Sequence, residues 1–164
     1  MQLQGFEKYN INTKEYIKVL QKIYKKTMKE ENQKPNIVDV SVVAVNGPEI
    51  KKYNEKTRGV KQETDVLSFP NIEDIEGKAI NKSNFPVEYN PRTKKVLLGE
   101  ILINIDKVKT QSKEFQHSFK RELSYLFLHS LLHLFGYDHK DDQSKRIMRD
   151  KEKKILKKAK VKRI

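Results

Sequence analysis

The stretch His129-Ser-Leu-Leu-His133-Leu-Phe-Gly136-Tyr-Asp-His139 holds three of the chain's four histidines. Two of them are four residues apart, so on a helix their imidazoles stand one turn above the other and converge. Gly136 can take the left-handed conformation that stops a helix, which turns the chain so that His139 reaches the same point from outside. Three neutral imidazoles leave a tetrahedral divalent cation one open position, the arrangement of a catalytic rather than a structural zinc site. Water at such a position ionises near neutral pH, with a pKa of about 7. A lone histidine on an apolar face is ordinarily a packed core residue, but three directed at one point repel on protonation unless they share a cation. Zinc is the expected ion, with other divalent transition metals able to use the same ligands. Each ligating ring needs an acceptor for its second nitrogen, and Asp138, Asp141 and Asp142 are the candidates nearby.

The spacing of the first two histidines is that of His-Glu-x-x-His zinc peptidases, in which the glutamate is the general base. Here that position is Ser130, which cannot take a proton from water at neutral pH. A peptidase lacks its base.

The whole chain bounds the partners. Its 164 residues suit one domain spanning 1–164 with a real core, closed by a basic C-terminal end over 151–164. No apolar run approaches a membrane span and no secretory signal pattern opens the chain, so a protein that stays in the cytoplasm and avoids membranes is expected. With no cysteine, any metal has nitrogen or oxygen ligands. Lys plus Arg number 35 against 22 acidic residues, a formal charge of +13. That field favours phosphate polymers, nucleic acid first among them. The final Lys-Lys-Ala-Lys-Val-Lys-Arg163 reads as a solvated, frayed tail.

Apolar spacing predicts a helix from about Thr13 to Glu30, ended by Pro35, and a strand from Ile37 to Val45. A short helix from Glu49 to Lys56 follows a turn with Pro48 at its start. Val66 to Phe69, closed by Pro70, is a strand near a sheet edge, and residues 71–95 form a long loop. Val96 to Ile105 is a strand buried on both faces, interrupted by Glu100. Helical patterning covers Asp106 to Gln111, then a long buried helix begins at Ser112 or Ser118 and ends at Phe135. A last helix, Asp142 to about Lys158, turns Ile147, Met148, Ile155 and Leu156 inward. The expected fold is α/β, layered in the α+β manner: a small mixed sheet of mostly four strands against about five helices, with the central helix carrying the metal ligands.

The histidine motif, with Leu134, Gly136, Tyr137 and Asp138 between its ligands, resembles the signature of the YbeY family of bacterial endoribonucleases. Two further stretches agree in order: Asn54, Arg58-Gly59 and Thr64-Asp65-Val66-Leu67-Ser68-Phe69-Pro70, then Leu98-Gly99-Glu100-Ile101; Met148 and Glu152 continue the pattern. The chain departs from it at Ser130, Tyr53, Thr57 and Glu63 and in a longer 71–95 loop. The resemblance implies a metal-dependent, single-strand-specific endoribonuclease that matures ribosomal RNA, notably the 3′ end of 16S (small-subunit) RNA, and serves ribosome quality control. Its partners would be the ribosomal RNA precursor and small subunit, with ribosomal proteins or assembly factors beside them. Arg58 matches the family's functional arginine, and a guanidinium next to a cation suits the extra negative charge of a phosphodiester transition state. Glu100 is expected to bond backbone or Arg58 rather than act as a base. Two rival readings are a zinc hydrolase of another substrate class and a non-enzymatic zinc-containing ribosome assembly factor.

Overall fold

A computed structural model describes residues 1–75 and 77–162. Elements run in the order β1 (Gln2–Gln4), α1 (Thr13–Glu30), β2 (Val38–Val45), α2 (Gly47–Arg58), β3 (Val66–Pro70), β4 (Tyr89–Asn90), β5 (Lys95–Asn104), α3 (Ile105–Glu114), α4 (Phe119–Leu134) and α5 (Asp142–Lys158). The sheet has the order β1-β2-β5-β3, parallel from β1 to β5 and antiparallel at β3, with β4 extending the β3 edge along β5. Among the described residues the fold is the expected α/β layer with five α-helices, and its mixed sheet has five strands rather than mostly four.

The β2–β5 pair is the centre, built from β-branched and leucine side chains that suit a strand buried on both faces. One face carries the main core, where Val40, Val42, Leu98, Ile101 and Ile103 meet α1 and α4. The other carries a smaller cluster of Val45, Ile50, Leu67 and Leu102 beneath α2. Between the sheet and the outer helices lies α4. Its residues Leu123, Phe127, Leu128, Leu131 and Leu132 are fully buried, each large side chain contributing roughly 1.5–3 kcal/mol by leaving water. A helix apolar on more than one side must be enclosed, and α4 contacts α1, α3, α5, β3 and β5.

Close approach of α4 to the sheet depends on Gly99. A Cβ there would lie 2.5 Å from the Phe69 carbonyl oxygen and 2.8 Å from Leu134 Cδ2. Gly99→Ala is therefore expected to destabilise the fold by about 1–3 kcal/mol through overpacking, read as a lower urea midpoint at unchanged slope. An unaltered midpoint would mean the layers are more loosely packed here than described.

Several local expectations are corrected. The strand β1 is only three residues and β4 only two, too short to show a period. The helix α2 runs longer than Glu49–Lys56 because Asn46 caps it with Glu49 in a reciprocal capping box. Ile147 is not inward but 46% exposed; the buried stripe of α5 is Met148, Glu152, Ile155 and Leu156. The 71–95 segment is pinned by buried Ile72, Ile80 and Phe85 and by Gln33, whose amide brackets Lys78 and Ile80. The basic C-terminal run is not a frayed tail in its described part, since Lys157 and Lys158 belong to α5 and Ala159 is buried. Arg163, its last member, lies outside the described residues.

Candidate metal centre

The histidine cluster is assembled by the end of one helix and the turn that follows. At the C-terminus of α4, Tyr137 N–H donates to the Leu132 carbonyl at 3.1 Å and Gly136 N–H to the His133 carbonyl at 2.9 Å. That pair of bonds is the Schellman motif, which requires a left-handed residue between them. Gly136 supplies it at φ +90°. The chain then returns as His139, and Asp141 starts α5 by capping Ser144 N–H at 2.8 Å.

His129 and His133 are half-buried and His139 is exposed at the mouth. One nitrogen from each ring lies within 4.8 Å of the others, and the Nε2 atoms of His129 and His133 are 3.0 Å apart. Tetrahedral coordination at about 2.0–2.1 Å separates neighbouring ligand nitrogens by roughly 3.3 Å, so the spread fits one ion. The other nitrogens are committed. His133 Nδ1 lies 2.7 Å from the Tyr137 carbonyl oxygen, which can only accept, so that nitrogen carries the proton. His129 Nδ1 donates to Glu152 Oε1 at 2.7 Å. With both rings neutral, the Nε2 atoms turn their lone pairs toward each other across 3.0 Å, the arrangement in which a shared cation would relieve the repulsion. Burial, reinforced by the neighbouring His129 and His139 rings, holds the His133 imidazole below its ordinary pKa, favouring the neutral form a ligand needs.

The acceptors are thus Glu152 and the Tyr137 carbonyl, not the aspartates considered from sequence. Asp141 caps α5, Asp138 accepts from Lys140 N–H, and Asp142 sits in the exposed first turn of α5. Sequence placed Glu152 in the family pattern without a role. The available signal was a glutamate inside an apolar helical stripe, where a charge needs a buried partner. The turn is held from outside as well: Tyr137 donates its hydroxyl to Glu31 at 3.0 Å, Lys151 Nζ is 2.6 Å from the same carboxylate, and it lies 4.8 Å from the Tyr137 ring centroid.

Acceptors of this kind tune ligand orientation. If the three histidines hold a metal ion, Glu152→Ala is expected to weaken its binding by about 10–100-fold, with Glu152→Gln nearer the lower figure because it keeps an oxygen acceptor. Competition against a chromogenic chelator reads this directly, and equal affinities in all three proteins would remove Glu152 from the site.

Arg58 ends α2 and is exposed. Its Nη2 donates to the Ser68 carbonyl of β3 at 3.4 Å, and among the described residues it makes no hydrogen bond to the histidines. Among the described residues the Glu100 carboxylate bonds neither Arg58 nor a backbone group; it is exposed on β5 and accepts from Ser41 at 3.3 Å. Asn54 bonds the Gln62 carbonyl at 3.0 Å and Asn104 bonds the Thr64 carbonyl at 3.0 Å, so the motif residues before β3 fix the path of the chain past Arg58. Ser130 is fully buried and its hydroxyl contacts none of the three histidines.

A cavity of about 220 Å³ opens on His129 and His139 and is lined also by Tyr125, Met148, Arg149 and Glu152. A larger one, about 770 Å³, shares Tyr125, Arg149 and Glu152 with it and continues between α4 and α5 to the α3–α4 turn. There His117 Nε2 lies 3.1 Å from Glu122 Oε2. Burial pushes the Glu122 carboxyl up to about 7, with the charge of Asp65 adding to it. In the unfolded chain this carboxyl ionises near its ordinary 4.5. Between these values only the unfolded state is charged, so stability falls as pH rises through the window and the deficit persists above it. Glu122→Gln should therefore raise stability by about 1–3 kcal/mol at pH 8 and leave it unchanged near pH 4. Urea unfolding at the two pH values checks this, and a pH-independent difference would contradict it.

No helix among the described residues is long and apolar enough to cross a membrane. The sequence profile of the family described as endoribonuclease YbeY matches residues 3–160. A Clostridium kluyveri endoribonuclease YbeY is 46% identical over 127 residues, covering 75% of this chain and 77% of that protein. One from Clostridium perfringens is 39% identical over 154 residues, 92% and 91% of the two chains. A Thermotoga maritima protein solved in solution superposes with a TM-score of 0.53 at 30% identity, over 87% of this chain and 81% of its own. With the profile spanning almost the whole sequence and relatives this similar over most of their length, the chain belongs to the YbeY endoribonuclease family.

Proposed function

We propose that residues 1–164 act as one catalytic domain, a metal-dependent endoribonuclease of the cytoplasm that cuts single-stranded RNA. Its role would be ribosomal RNA maturation, at the 3′ end of the small-subunit precursor, and ribosome quality control, with ribosomal proteins or assembly factors as neighbours on the particle. The observation that carries the reading is the pair of Nε2 atoms facing each other at 3.0 Å, each on a ring whose Nδ1 is hydrogen-bonded on the far side, to Glu152 or to the Tyr137 carbonyl. That geometry supports His129, His133 and His139 as the ligands of one divalent cation, for which zinc fits an all-imidazole set. When bound, the ion supplies positive charge to a phosphodiester and lowers the pKa of water that reaches it.

The chain's own residues do the rest. Glu152 and the Tyr137 carbonyl hold two rings at fixed angles, so the ligands need no reorganisation. Arg58 supplies a second fixed cation for charge that develops on the phosphoryl oxygens, and the +13 surface draws the polyanion in.

Metal analysis of the wild type and His133→Ala, run beside cleavage of a ribosomal RNA precursor, tests ligand, ion and substrate together. Zinc-dependent cleavage that weakens steeply with salt supports the reading. A metal-loaded protein that leaves RNA intact, free of contaminating nuclease, would favour the assembly-factor reading instead.

A further inference from the structure

The helix α5 carries two basic stripes with different fates. Lys151, Lys154 and Lys158 face α1, where Glu31 and Glu30 neutralise them. Lys145, Arg149, Lys153 and Lys157 repeat at four-residue intervals along the cleft, all exposed, and form no ion pair among the described residues. Four residues of helix advance about 6 Å, the order of the phosphate spacing along an extended strand. The acidic side chains lining the cleft, Glu122 and Glu152, are hydrogen-bonded to His117 and His129 and form no ion pair with this stripe among the described residues. At the far end Phe115 is 57% exposed and stacks on His117, with ring centroids 6.0 Å apart and planes at 26°. Tyr125, whose ring centroid is 5.7 Å from that of His129, walls both the small cavity and the large one.

We infer that the α4–α5 cleft is the track for the single-stranded RNA flanking the cut. Its phosphates follow the Lys145–Arg149–Lys153–Lys157 stripe away from the histidines, and a base at the far end stacks on Phe115. A row of cations beside an exposed aromatic face is how proteins hold single strands without reading their sequence. The unequal treatment of the two stripes separates this from general surface charge: Glu30 and Glu31 neutralise one, while the other stays open on two adjoining cavities, the smaller of which opens on His129 and His139. The inference rests on the RNA-cleaving reading above and adds the direction of the strand and the groups that hold it.

The test uses zinc-loaded full-length protein and fluorescein-labelled 2′-O-methyl oligouridylates of several lengths, with fluorescence anisotropy measured over a range of salt. The triple variant R149A/K153A/K157A should bind the longest oligomer at least tenfold more weakly and lower the slope of log Kd against log salt by about two, at roughly 0.7 per lost contact. Phe115→Ala should cost about tenfold in affinity with the slope unchanged, as loss of one stacked base does. The triple variant K14A/K18A/K25A, on the exposed side of α1, should bind as the wild type does, and zinc content should be equal in all. Equal affinity and slope for the two triple variants, with a wild type that binds these oligomers and cleaves the unmethylated RNA, would overturn the cleft assignment while sparing the endoribonuclease reading. A wild type that neither binds nor cleaves RNA would overturn both.

Discussion

His133→Ala should yield a folded protein that retains no stoichiometric transition metal and cleaves RNA only at background. His133 is central to the cluster: its Nε2 faces that of His129, and its Nδ1 ties the ring to the Tyr137 carbonyl of the turn. Removing it leaves two imidazoles on opposite sides of the turn, too few to hold an ion against solvent. The structural loss is modest by comparison. One hydrogen bond to a turn carbonyl contributes about 0.5–1.5 kcal/mol, so circular dichroism should be unchanged, while added zinc, expected to stabilise the wild type, should not stabilise the variant. A variant that keeps its metal and its cleavage rate would place the ion elsewhere.

Arg58→Glu is the second large effect, and of the opposite kind. The side chain is exposed at the end of α2 with a single long bond to a β3 carbonyl, so its loss should change stability by no more than about 0.5 kcal/mol. If it serves the transition state, removal of a fixed positive group should lower kcat by about 10²–10³-fold, and reversal of charge by at least that. Metal content should match the wild type. Single-turnover cleavage beside a urea melt separates the cases: a normal rate would reduce Arg58 to a surface residue, and a shifted melt would make it structural.

What could be read from the sequence follows the range of the interactions. His129, His133, Gly136 and His139 are local, and helix geometry with one glycine nearly determines their convergence. Glu152 is 23 residues from the ring it holds, and only the packing of α5 against α4 brings it there, so sequence proximity points to the aspartates instead. Ile147 shows the same limit: its apolar character fits a buried stripe, but α5 turns it outward and buries Glu152 instead. The strands β1 and β4 exist through pairing with β2 and β5 rather than through any pattern of their own. The strand Lys95–Asn104 and the helix Phe119–Leu134 were legible because near-continuous apolar runs leave few other placements. The two roles of the α5 lysines could not be separated without the acids of α1 beside them.

The claim on which the rest depends is that one cation is held by three imidazoles. X-ray absorption on RNA-cleaving protein, with metal quantified on the same sample, tests it most directly. One transition ion per chain is expected, with imidazole nitrogens at about 2.0–2.1 Å, a signature lost in His133→Ala. Active protein without stoichiometric transition metal, or an ion whose shell contains no imidazole, would contradict it.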